Sequence, residues 1–167
     1  MHVGASGTPP AAPLMVDDTR IDQPIPDEAD ITFEAEDHRP SDREQIRNLK
    51  ARYCRFVDTK QWARLATLFT RDATFEGFGS APQGATVEVC VAGVSRRLAD
   101  CVSIHRCTMP EIAFTSPTEA RCLWAMEDEL FWPGRVELKE APGAAGFRGA
   151  GYYEDSYRLV ENEWKIA

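Results

Sequence analysis

The sequence predicts an α+β domain, on three observations. Apolar residues recur at spacings of three and four early in the folded part, at Ile46, Leu49, Tyr53 and Phe56. From residue 103 onward the pattern changes to alternation in twos, broken by turn-forming residues. Helices first and antiparallel strands afterwards is an α+β order, whereas regular alternation of the two would point to a parallel sheet. The chain has 167 residues, 43% of them hydrophobic, which is enough for one core, and no apolar run long enough to cross a bilayer.

Residues 1–40 are expected to form a flexible extension, and residues 41–167 the domain. The formal net charge is −8, and it is unevenly placed: residues 1–40 hold nine acids against two bases, residues 41–167 hold 18 against 17. Six of the 11 prolines also fall in the first 40 residues, among few large apolar side chains, although Ile31-Thr32-Phe33 offers a short piece that can dock on the domain. A near-neutral domain with an acidic extension lacks the positive surface that nucleic acid or an anionic membrane requires, so the expected partner is a small molecule or another protein. The five cysteines form no CxxC pair and no zinc-type spacing, which suits reduced, packed thiols in a cytoplasmic protein. The N-terminus has neither the basic nor the apolar stretch of a secretory signal.

The domain opens at Pro40-Ser41-Asp42-Arg43-Glu44, where Ser41 as cap and Glu44 three residues on make a capping box. The first helix runs to Asp58. A shorter second helix follows, capped by Asp58 or Thr59 and burying Trp62, Leu65, Leu68 and Phe69. Residues 74–78 read as a strand, broken by Gly77, Gly79, Pro82 and Gly84, and residues 91–102 as a third helix with Val94, Leu98 and Cys101 on one side. Strands then occupy about 103–114, 120–132 and 148–160, with a turn at Ser116-Pro117-Thr118, a loop rich in Gly, Pro and Ala at 133–147, and a turn at Glu161-Asn162. A short last strand opens at Trp164.

The strand at 120–132 is the most informative for function. Alternation puts Cys122, Trp124, Met126, Asp128 and Leu130 on one face, an apolar row with a single acid in it. A buried carboxylate without a partner is costly, so Asp128 needs a partner, a wet cavity or a chemical role; a bulge that swaps it with Glu127 is the plain alternative. Counting outward from the turn, positions whose numbers sum to about 233–235 face each other, which sets His105 against residues 128–130. His105 and Asp128 are then cross-strand neighbours, either a general-base dyad or a structural tie between strands. In the first helix, Tyr53 lies on the buried stripe and Asp58 at its end; they are a third candidate pair for chemistry, or a core residue and a cap. Trp62, Trp124, Tyr152, Tyr153 and Tyr157 either line an aromatic pocket or fill the core. Gly146, Gly149 and Gly151 precede no helix and have no dinucleotide-binding context.

The segments IRNLKARYCRFVDTKQWARLATLFTRDATFEG, SIHRCTMPEIAFTSPTEARCLWAMEDEL and GAGYYEDSYRLVENEWKI resemble the SnoaL-like family of the nuclear-transport-factor-like superfamily. Within it they resemble the branch of bile-acid 7α-dehydratase and scytalone dehydratase. The resemblance covers about residues 42–167. It implies a cone, a strongly curved antiparallel sheet packed around N-terminal helices, with an apolar pocket at its open end. It also implies catalytic roles for Tyr53 and Asp58 from the first helix region and for His105 and Asp128 as a pair from the sheet. Trp62, Phe75, Trp124, Met126 and Tyr153 are expected to line the substrate site.

The function expected is that of a cofactor-independent dehydratase or isomerase on a hydrophobic, carbonyl-bearing ring compound, steroid-like or polyketide-like. His105 held by Asp128 removes a proton, Tyr53 hydrogen-bonds the developing oxyanion or departing hydroxyl, and Asp58 orients Tyr53 or a water. Ring closure by a polyketide cyclase shares the same first step. The rival is a non-catalytic ligand-binding or assembly module of the same fold. No metal, nucleotide or flavin site is expected, and a homo-oligomer, dimer or trimer, is.

Overall fold

The computed structural model of the protein describes residues 40–77, 80–133 and 143–167. The expected extension, with its docking piece at Ile31-Thr32-Phe33, lies outside these residues but for Pro40. Phe78, at the end of the expected first strand, lies outside them too.

Helix α1 spans Pro40–Asp58. It begins one residue ahead of the expected cap, because a proline with φ preset and no N–H to leave unpaired suits the first turn; Ser41 is itself helical and does not cap. The helix closes through Lys60 N–H to Val57 O at 3.1 Å and Gln61 N–H to Phe56 O at 2.8 Å. Lys60 takes the left-handed conformation at φ 59, a position more often given to glycine. This closure delays helix α2 to Trp62–Ala66, with Gln61 at its cap position and no side-chain cap bond. The expectation that Asp58 or Thr59 caps it is therefore corrected: Thr59 Oγ1 donates back to Arg55 O at 2.6 Å, and Asp58 stays in the last turn of α1.

Strands β1 (Thr74–Phe75) and β2 (Ala85–Thr86) pair antiparallel and lead into helix α3, Val87–Arg97. That helix starts four residues earlier than expected and ends before residue 102. Its β-branched opening, with Val87, Val89 and Val91, reads as strand by propensity, yet Val87, Cys90, Gly93 and Val94 form its buried face.

The main sheet has the order β3-β4-β5-β6, all antiparallel, with β3 Val102–Ser116, β4 Glu119–Phe131, β5 Gly146–Val160 and β6 Glu163–Ile166. Three of these have 13–15 residues, far beyond the usual five or six, and strands of that length twist and bend. A bulge between Thr108 and Glu111 supplies one bend in β3, with Met109 at φ 46. It also switches parity, so that His105 and Cys107 face inward before it and Ile112 after it. The four-residue β6 is held on both sides: it pairs with β5, while Thr70 N–H reaches Ile166 O at 2.8 Å and Ile166 N–H reaches Leu68 O at 2.9 Å.

Helix α1 fills the concave side. Its stripe of Ile46, Leu49, Tyr53, Phe56 and Val57 is buried in one cluster with Ile112, Cys122, Trp124, Tyr157 and Trp164 from the sheet. The fold is the expected α+β cone, a curved sheet around N-terminal helices.

Candidate active site

The end of α1 and the start of β3 bring Asp58 and His105 together. His105 Nδ1 lies 2.7 Å from Asp58 Oδ1, and the His105 backbone N–H donates to Asp58 Oδ2 at 2.9 Å. Ser103 Oγ donates to Asp58 Oδ1 at 3.0 Å, and Lys60 Nζ in turn donates to Ser103 Oγ at 2.8 Å. A carboxylate that accepts from Nδ1 fixes the proton there and leaves Nε2 with its lone pair. Burial pushes the Asp58 carboxyl up, but the hydrogen bonds from the His105 ring, the His105 backbone and Ser103 outweigh it, and the group lies below its ordinary value. Asp58 is thus held as an anion beside an imidazole whose side chain is 9% exposed.

Asp128 sits directly opposite His105 in the sheet, in the expected register. It does not, however, hold the imidazole. Cross-strand register sets Cβ positions and not which ring nitrogen is met; Asp58 approaches Nδ1 from the helix, and Asp128 lies against β5 at Gly149, its other register partner. A Cβ at Gly149 would collide with Asp128 Oδ1, so only glycine lets the carboxyl lie there. Asp128 Oδ1 is buried with no hydrogen-bond partner among the described residues. Burial raises the Asp128 carboxyl above its ordinary value, against the opposing influence of His105, the Gly149 N–H and Arg97.

Tyr53 is 7% exposed, and its ring meets Phe69 and Tyr153 edge to face at 6.2 and 6.3 Å between centroids. Burial holds its phenol well above the usual range, so it is a hydrogen-bond donor at any ordinary pH. The expected orientation of Tyr53 by Asp58 is replaced by the contacts of Asp58 with His105 and Ser103. Of the expected lining residues, Met126 and Tyr153 are half-buried on the inner face. Trp124 is buried in the core, with Nε1 donating to Tyr157 Oη at 3.0 Å, and Phe75 packs on Phe69 with ring centroids 5.0 Å apart. Trp62 lies 5.9 Å from Lys60 Nζ, beside the helix junction.

One buried group escaped the sequence reading. Lys50 is 2% exposed; its Nζ donates to Asp155 Oδ2 at 2.7 Å and lies 4.6 and 4.1 Å from the ring centroids of Tyr53 and Tyr153. Tyr157 Oη donates to the same Asp155 oxygen at 2.7 Å, which joins Trp124, Tyr157, Asp155 and Lys50 in one chain of contacts. The signals were present, since Lys50 stands four residues after Ile46 on the apolar stripe and Asp155 alternates inward between Tyr153 and Tyr157. Nearby, the thiols of Cys54 and Cys107 meet at 3.6 Å and are free. A surface groove of about 850 Å³ between α1, α2 and β6, lined by Arg52, Arg55, Arg64 and Lys165 among others, contains none of the candidate residues. The described residues bring no three His, Cys, Asp or Glu side chains together as metal ligands, and no helix among them is long and apolar enough to cross a membrane.

A curated protein named "Probable cyclase FGR4" from Gibberella zeae is 27% identical over 129 residues, covering 71% of this chain and 82% of its own length. Among solved structures, hexachlorocyclohexane dehydrochlorinase LinA-type3 from Novosphingobium barchaimii LL02 superposes with a TM-score of 0.59 at 22% identity, over 77% of this chain and 83% of its own. A provisionally named scytalone dehydratase from Novosphingobium aromaticivorans DSM 12444 gives 0.61 at 19% identity, over 75% and 79%. These likenesses establish the shared fold. The sequence profile of the SnoaL-like domain matches residues 39–167, from the start of α1 to the last strand, and the chain belongs to that family.

Proposed function

We propose that the protein is a cofactor-independent general acid–base enzyme, a dehydratase or isomerase, acting on a hydrophobic carbonyl-bearing ring compound. The observation that carries this reading is the Asp58–His105 pair, with Nδ1 fixed at 2.7 Å from a carboxylate held in its charged form. Nε2 takes a proton from the carbon next to the substrate carbonyl, and the electron pair moves onto the carbonyl oxygen, where the Tyr53 hydroxyl donates a hydrogen bond to it. Asp58 stabilises the imidazolium that forms. Asp128, held toward its neutral form on the same inner face, gives its proton to a departing β-hydroxyl as the enolate collapses, and water leaves. Where no hydroxyl is present, the imidazolium returns its proton to another carbon and the reaction is an isomerisation. The relatives named as a cyclase, a dehydrochlorinase and a dehydratase support chemistry of this kind.

The test is turnover of a panel of β-hydroxy ketones and unsaturated steroid ketones. His105→Ala and Asp58→Asn are each expected to lower kcat/KM by about 10²–10⁴-fold, the usual contribution of a positioned base. Equal turnover by wild type and His105→Ala overturns the mechanism.

A further inference from the structure

Cys54 and Cys107 form a second rung of the contact between α1 and β3. On the helix, Cys54 comes four residues before Asp58; on the strand, Cys107 comes two residues after His105. Four residues of helix rise about 6 Å and two of strand about 6.6 Å, so the two elements stay in step. The meeting of Asp58 with His105 at 2.7 Å is therefore followed, one helical turn away, by the meeting of Cys54 with Cys107 at 3.6 Å between sulfurs. Both thiols are free. A disulfide needs the sulfurs about 2.0 Å apart, which rotation of two short side chains and a small approach of α1 to β3 supply.

The surroundings of this pair differ from those of the other three cysteines. Cys90, Cys101 and Cys122 are no more than 4% exposed, and burial pushes each of their thiols up, that of Cys90 to about 11. Cys54 is 9% exposed and Cys107 half-buried. The hydrogen bond with Cys107 brings the Cys54 thiol below its ordinary value; Lys50, one turn earlier on α1, and His105 act in the same direction, against burial. The same contact, together with burial, pushes the Cys107 thiol up. One sulfur is thus drawn toward the thiolate that attacks, while its neighbour keeps its proton.

We propose that Cys54 and Cys107 are a modification site, a dithiol that reduces hydrogen peroxide and closes to a reversible disulfide, with Cys54 as the attacking and Cys107 as the resolving thiol. The Cys54 sulfur attacks one peroxide oxygen and the O–O bond breaks. The hydroxide released takes up the proton that Cys54 gave up and leaves as water, and Cys54 is left as the sulfenic acid. The Cys107 sulfur then attacks the Cys54 sulfur, the S–O bond breaks, and the departing hydroxide carries off the Cys107 proton as a second water. The two thiols have given two electrons to the peroxide, and a dithiol reductant returns them by exchange. The bond ties the last turns of α1 to the start of β3 beside His105, whether or not that histidine acts as a base.

The experiment treats the reduced full-length chain with hydrogen peroxide, counts thiols after unfolding, and maps any cross-link by mass spectrometry. Wild type is expected to lose two of its five thiols, to show the peptide of Cys54 joined to that of Cys107, and to recover all five with dithiothreitol. Cys107→Ser is expected to stop at the sulfenic acid, captured by dimedone on Cys54. Cys54→Ser is expected to react at least about tenfold more slowly than wild type, as a chain left with thiols pushed toward the protonated form. Circular dichroism checks that both variants fold; should either not, the alanine variant carries the same comparison. Retention of all five thiols, a bond between any other two cysteines, dimedone on a residue other than Cys54, or an undiminished rate in folded Cys54→Ser overturns the proposal.

Discussion

At Asp128 burial holds the carboxyl above its ordinary value, and its Oδ1 has no partner among the described residues. The unfolded side chain titrates near 3.8, so between that pH and the raised native value the folded chain keeps a proton that the unfolded chain has lost. Stability then falls as pH rises through this window. Asp128→Asn, which keeps the shape and removes the titration, is expected to raise the thermal midpoint at pH 7 and to lose that advantage below about pH 3.8. A variant no more stable than wild type at pH 7 would mean that the carboxyl is as well accommodated in the folded chain as in water. Asp58 runs the other way: its native value lies below 3.8, so its stabilising contribution is present above that pH and is lost as pH falls through the native value. Two carboxyls that both feel the charge of His105 are thereby pushed apart, one toward the charged form and one toward the neutral, the separation that the proposed acid and base roles require.

Helix α1 and strand β5 are joined by a buried ion pair as well as by apolar contact. Lys50 and Asp155 are 2% and 12% exposed at their side chains, and the carboxylate also accepts from Tyr157. Removing one partner strands the other charge inside, so Lys50→Met is expected to cost about 3–5 kcal/mol in urea unfolding. The double variant Lys50→Met with Asp155→Leu is expected to recover most of that loss, since a buried pair is replaced by apolar packing at little net cost. Additive losses in the double variant would show that the pair does more than satisfy itself. Lys50 Nζ also lies over the Tyr53 and Tyr153 rings, so the single variant tests in addition whether the contact between the two tyrosines depends on the ion pair.

For the whole molecule, the described core is built from residues 46–166, and the charge imbalance lies in residues 1–40. We propose that residues 1–39 form an extension dispensable for folding. Their removal is expected to shift the thermal midpoint by less than about 2 °C, within what a few tenths of a kcal/mol produces in a domain of this size. A larger drop would place part of the extension, with Ile31-Thr32-Phe33 as its apolar piece, against the domain.

What was legible in the sequence is what depends on local periodicity. The α1 stripe, the inward row from Cys122 to Leu130 and the pairing of His105 with Asp128 all follow from spacings of 3.6 and 2 and from counting back from one turn, and the structure has them so. Family resemblance singled out Tyr53, Asp58, His105 and Asp128 as a set and paired the histidine with Asp128, whereas the imidazole is met by Asp58. That was decided by tertiary structure. The left-handed closure at Lys60 leaves Asp58 in the last turn of α1, where it faces the start of β3, and the absent side chain at Gly149 lets Asp128 lie against β5. A helix end and a strand start 47 residues apart carry no shared period, so no pattern along the chain records that they meet. The same holds for Lys50 with Asp155, 105 residues apart, which meet only when the sheet curves around the helix.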